Sequence, residues 1–178
     1  MTEQPTAHSP IPEVDRVGPP LAAGERAMLA AFLDWHRATL HHKCAGLTVE
    51  QLSEAACPPS DLTLLGLMRH LTDVERGWFE RGAGRDAPPI YYSDEDPEGD
   101  FRVPPATTFQ DAQGTLEAWR SQCETSRAIT AALPSLDDTA VGEDHTWRWI
   151  IVHMIEEYAR HNGHADLIRQ TIDGATGE

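Results

Sequence analysis

Residues 153–169 read HMIEEYARHNGHADLIR, and the helical phase of this stretch decides the fold. At about 3.6 residues per turn each position advances about 100° around the helix axis. Measured from Ile150, Met154 lies at about +40°, Tyr158 at about +80°, Ala165 at about +60° and Ile168 at about 0°, which makes one apolar stripe. On the same wheel Glu157 falls at about −20°, His161 at about +20° and His164 at about −40°, with His153 at the rim at about −60°. A helix over 146–172, ended by Gly174, therefore aims a carboxylate and two imidazoles at the core.

A carboxylate left alone in a core is strongly destabilising or takes up a proton, so it needs a partner. Glu157 and His161 are four residues apart, the spacing by which helical motifs such as H-E-x-x-H hold a divalent metal. His70, on the inner edge of an earlier helix, could complete a set of three. His164 could be a fourth ligand, a donor behind another ligand, or a general base. The ordinary alternative is a buried Glu paired with His or Arg, and His70 taken alone reads that way. The remaining histidines, His8, His36, His41, His42 and His145, share no such constellation, and His41 and His42 read as a solvated pair.

Outward from this helix the chain stays helical. Met28, Leu29, Phe32, Leu33, His36 and Leu40 recur every three or four residues, which predicts a helix over 24–45. Thr48 and Gln51 have capping-box spacing, so a short helix is expected before Pro58. A second long helix is expected from Thr63 to Arg81, with Leu64, Leu67, Met68, Leu71, Val74 and Trp78 on its face. A third over 108–133 turns Ala112, Leu116, Trp119, Cys123 and Ile129 inward and stops at Pro134. Glu75, Arg76, Trp78, Trp147 and Trp149 could line a cavity, although tryptophan at helical spacing is usually core. Four long helices without period-two alternation mean an all-α four-helix bundle.

Residues 85–110, RDAPPIYYSDEDPEGDFRVPPATTFQ, form a long connection without period, expected to cross the mouth of the bundle near the candidate site. Asp94, Asp96, Glu98 and Gly99 mimic the start of an EF-hand loop, but Pro105 stands where its final glutamate belongs, so this is a solvated acidic loop. Residues 1–20 are proline-rich and read as a flexible tail or a strap on the bundle, 21–174 as the bundle, and 175–178 as a second tail.

The 178 residues are 40% hydrophobic, enough for one domain. Against 29 acidic side chains stand 14 basic ones, a net charge of −15 that argues against nucleic acid and anionic membranes as partners. No apolar run approaches the roughly 20 residues of a membrane span, and no secretory pattern opens the chain, so a cytoplasmic protein is expected. Cys44, Cys57 and Cys123 are odd in number and lack motif spacing, as reduced packing thiols do.

The segments GERAMLAAFLDWHRATL, LTLLGLMRHLTDVERGWF and WIIVHMIEEYARHNGHADLIRQTIDG resemble the DinB-like superfamily over residues 21–174. Within it, they resemble the actinobacterial group of unassigned function akin to mycothiol-dependent maleylpyruvate isomerase and mycothiol S-transferases. The resemblance implies a four-helix bundle with a long crossover between the second and third helices. It also implies a divalent metal held by His70, Glu157 and His161. Many members carry histidine where Glu157 stands, and the glutamate is similar to the isomerase arrangement. Three protein ligands leave a position open for chemistry.

The implied activity is metal-dependent S-transfer or isomerisation with a low-molecular-weight thiol resembling mycothiol, with His164 as candidate catalytic residue. Zinc is the first choice of ion, with nickel or ferrous iron as alternatives. The implied partners are a small electrophile and the thiol, and a homodimer stays open. A metal-dependent hydrolase, with Glu156 or His164 as base, and a non-catalytic ligand-binding bundle are the rival readings.

Overall fold

The structure is a computed structural model and describes residues 9–176. Its long helices are α1 (Glu25–Cys44), α3 (Leu64–Glu75, prolonged by Arg76–Arg81), α4 (Phe109–Ala132) and α5 (Trp147–Asp173), with the single turn α2 (Val49–Leu52) after α1. The expected all-α bundle forms, with its long crossover between α3 and α4. α1 packs chiefly on α5, and α3 on α4. Among the described residues the nearest approach to a sheet is one isolated bridge, Thr139 to Thr146.

Threonines set the helix starts. Thr48, Thr63, Thr108 and Thr146 each accept the backbone N–H three residues on, and Thr48 and Thr108 do so within reciprocal capping boxes. At the other end of α5, Gly174 adopts φ +79°, the left-handed cap that glycine takes without strain. The last turn of the second long helix differs from expectation, because Arg76–Arg81 is a π-helical turn. Gly77 lies inside it, where a residue without a Cβ adapts most readily to a widened backbone.

The buried stripe of α1 also differs. Leu33, Arg37, Leu40, His41 and Cys44 are buried, whereas Phe32 is 40% exposed. Two partners far along the chain explain the change. His41 is not solvated: its Nε2 donates to the Pro12 carbonyl at 2.9 Å. Residues 9–17 run against α1 as a strap, with Ile11 fully buried, its carbonyl accepting from Gly46 N at 3.1 Å, and the Arg16 guanidinium over Trp35. Residues 1–8, with His8, and 177–178 lie outside the described residues.

The second partner is Glu75, fully buried on α3. Arg37 donates to both its oxygens, from Nε at 2.6 Å and from Nη2 at 2.8 Å. The Tyr158 hydroxyl of α5 donates to Glu75 Oε1 at 3.0 Å, and the Trp119 indole of α4 donates to Tyr158 at 2.9 Å. One side chain from each long helix thus meets in a satisfied polar network. Removing one member strands a buried charge, so Arg37→Ala should lose about 3–5 kcal/mol in urea denaturation. Arg37→Met combined with Glu75→Gln, which keeps an acceptor for Tyr158, should recover most of that. A loss below about 1 kcal/mol for Arg37→Ala would mean that water screens the pair.

Candidate metal centre

α3 and α5 bring His70, Glu157 and His161 together, with one donor atom from each inside 4.8 Å of the others. His161 Nε2 lies 3.4 Å and His70 Nε2 3.9 Å from the same Glu157 oxygen, Oε2. The two imidazole centroids are 4.7 Å apart. On a tetrahedral ion with ligand bonds of about 2.1 Å, neighbouring donors are about 3.4 Å apart, so these separations fit a small divalent cation.

The crossover supplies what stands behind His70. Asp100 Oδ2 lies 2.8 Å from His70 Nδ1, so that nitrogen donates and Nε2 is the atom left facing Glu157. Phe101 stacks on the same ring, with centroids 4.1 Å apart and planes at 20°. Both residues escaped the sequence reading. Asp100 is one of several acids in an aperiodic loop, and the only available signal was that a metal-ligating histidine wants a carboxylate behind it.

The loop is held in place by α3. Asp73 accepts from Ile90 N at 2.7 Å and Tyr91 N at 2.8 Å, and Arg69 donates to the Gly99 carbonyl while lying over the Tyr91 ring. Gly66 permits the close approach, since a Cβ there would collide with the Phe101 carbonyl. Asp94, Asp96 and Glu98 form no metal-sized cluster among the described residues.

His164 stands beside the converging set, outside it. Its Nδ1 is 3.3 Å from His161 Nδ1, so one of these nitrogens carries a hydrogen and the other accepts it. His153 stacks on Trp149 and meets Trp78 edge-on, and with Glu156 and Glu157 makes a second, more exposed cluster. Burial, reinforced by His70 and His164, pushes the pKa of His161 down to about 3. A neutral imidazole is the form that can bind a metal.

A cavity of about 430 Å³ adjoins His70 and Asp100, walled by Trp78, Tyr92 and Arg81. A larger one, about 650 Å³, opens beside Leu33, Ala131 and Ile151 but contains none of the converging residues. Of the two, the smaller is the one that reaches the site, through His70.

An all-α bundle with a long crossover between its second and third long helices is the architecture of the DinB-like class. Within that class, the family described as mycothiol-S-transferase matches residues 28–174, and the chain belongs to it. No curated protein and no solved structure matches the chain. No helix among the described residues is long and apolar enough to cross a membrane.

The depressed His161 pKa has a testable sign. Unfolded histidine takes its proton near about 6.5, whereas His161 in the folded chain waits until about 3. Between these values the unfolded state binds more protons, so His161's contribution to stability is full above about pH 6.5 and is lost as pH falls through the window. In metal-free protein, NMR titration should find the His161 ring neutral from about pH 5 to 8, with no inflection. An inflection near about 6 would show the ring reaching water.

Proposed function

We propose that this chain is a metal-dependent mycothiol S-transferase whose metal is held by His70, Glu157 and His161. The observation that carries the reading is the convergence of two imidazole nitrogens on one oxygen of a half-buried carboxylate, with Asp100 behind one of the rings. Two histidines and a glutamate are a donor set of catalytic zinc sites, where a fourth position stays open. The local chemistry agrees: Glu157 and Asp100 bring two carboxylates to the paired imidazoles, a surplus of acidic groups that a divalent cation would offset. When bound, such an ion lowers the pKa of a thiol that reaches it, as it does that of water, and so favours the nucleophilic form at neutral pH.

The chain's own groups do the remaining work. Asp100 fixes the tautomer of His70, Phe101 covers its ring, and burial keeps His161 free of its proton. His164 acts as a positioning residue, orienting His161 through the paired Nδ1 atoms. The reactive thiol comes from outside the chain. Burial raises the Cys44 thiol to about 12 and pushes Cys123 higher still, while Cys57 lies against Thr171, near the far end of α5. The incoming thiol gives up its proton to solvent, its sulfur forms the new bond to an electrophilic carbon, and the leaving group departs from that carbon with the pair of electrons that bound it.

Glu157→Gln should weaken zinc affinity by at least about tenfold while the metal-free protein keeps or gains thermal stability, and Asp100→Asn should weaken it about ten- to a hundredfold. Calorimetric zinc titrations and melts with and without chelator read both effects. Unchanged affinity in Glu157→Gln would remove this residue from the site. Conjugation of chlorodinitrobenzene should require both metal and added mycothiol. Metal-dependent turnover of ester or amide substrates without any thiol would favour a hydrolase instead.

A further inference from the structure

The cavity beside His70 contains a cation that nothing above uses. Arg81 ends the π-helical turn and stands exposed at the cavity mouth. Among the described residues it has neither a hydrogen bond nor an ion pair, although its neighbours are engaged. Arg76 binds Glu80 at 2.7 Å, and Arg85 reaches the other oxygen of the same carboxylate at 3.7 Å. In a chain of net charge −15, an arginine beside a cavity and without a carboxylate partner is unexpected.

The backbone leaves room for it where it lies. A Cβ built on Gly77 would come 2.5 Å from a guanidinium nitrogen of Arg81, so the guanidinium lies across the gap that the missing side chain leaves. That gap sits within a π-helical turn, a local feature that recurs where proteins bind ligands. Trp78, from the same turn, supplies a flat apolar wall of the same cavity, and Tyr92 another.

Resting on the thiol-transferase reading, we propose that this cavity receives the electrophile and that Arg81 binds a carboxylate which the electrophile carries. A guanidinium matches a carboxylate with two parallel hydrogen bonds and lies well beside aromatic faces. The cavity favours a single negative charge over the two of a phosphate, because Asp73, Asp100 and Glu143 also line it. Asp73 and Asp100 are already satisfied by Ile90 N, Tyr91 N, His70 and Phe101 N, so Arg81 is the group left to meet an anion. The substrate class is thus a monocarboxylate with a planar apolar body, its reactive carbon toward His70.

The test uses isosteric pairs that differ only in charge. In calorimetric titrations of the full chain without thiol, para-toluate should bind about tenfold more tightly than para-toluamide. Arg81→Gln should abolish that preference, and Arg81→Lys should restore only part of it, since an ammonium lacks the planar fork. In turnover with mycothiol, Arg81→Gln should raise KM for para-chloromethylbenzoate about tenfold and leave kcat, the thiol KM and the KM for para-chloromethylbenzamide unchanged.

Equal binding of toluate and toluamide by the wild type would overturn the proposal, as would an Arg81→Gln effect on the thiol KM alone. The binding arm needs neither metal nor turnover. A charge preference that vanishes with Arg81→Gln in a protein that transfers no thiol would therefore sink the transferase reading and keep the anion site.

Discussion

The bidentate ion pair between Arg37 and Glu75 governs the geometry of everything else. It lies in the interior, with Arg37 3% exposed and Glu75 fully buried, where an unpaired charge would be heavily penalised. Because Glu75 also accepts from Tyr158, and Tyr158 from Trp119, the network fixes how α3 and α5 are rotated about their own axes. That rotation is what the site requires. Glu157 directly precedes Tyr158, and neighbouring residues on a helix point about 100° apart, so holding Tyr158 on the core network turns Glu157 to the next face. His70 lies five residues before Glu75 and is turned away from the ion pair by the same arithmetic. The two faces left over by the core network are the ones that meet.

How much of this could be read in the sequence depended on whether a residue contradicts its local pattern. Glu157 and His161 stood out because a carboxylate and an imidazole interrupt an apolar stripe on a long, regular helix. Their proximity to His70 in the structure follows from the same stripe. Arg37 gave no such sign. Phe32 and His36 offered a sufficient face for α1 by periodicity alone, and only a partner 38 positions away made it favourable to bury Arg37 instead. His41 failed for the same reason, since its partner is the Pro12 carbonyl of a strap with no period of its own.

Asp100 and Phe101 were hidden by a different cause. Loop residues have no wheel, and Asp94, Glu95, Asp96, Glu98 and Asp100 are chemically alike in sequence. What distinguishes Asp100 is the path of the backbone, and that path is set by Asp73, Arg69 and Gly66 on α3. The length of the crossover drew notice, but which of its residues meets His70 was fixed by the helix beneath. The π-helical turn was also invisible, because nothing in the residue pattern marks the change of phase by which Phe79 is buried in place of Trp78.

The glutamate at position 157 changes the electrostatics of the site in a way that bears on which reactants it can take. A dication held by three neutral imidazoles would keep both its positive charges, whereas one held by Glu157, with Asp100 behind His70, sits in a nearly neutral surround. A thiolate entering a neutral site makes it negative, and an anionic electrophile would then be repelled as it approached. Repulsion between like charges a few ångströms apart in a partly enclosed cavity is too large to ignore. A cation at the mouth of the same cavity would offset it, and Arg81, lying across Gly77, is in that place. On the proposed reading, the carboxylate among the candidate ligands and the guanidinium at the cavity mouth would be two halves of one charge balance.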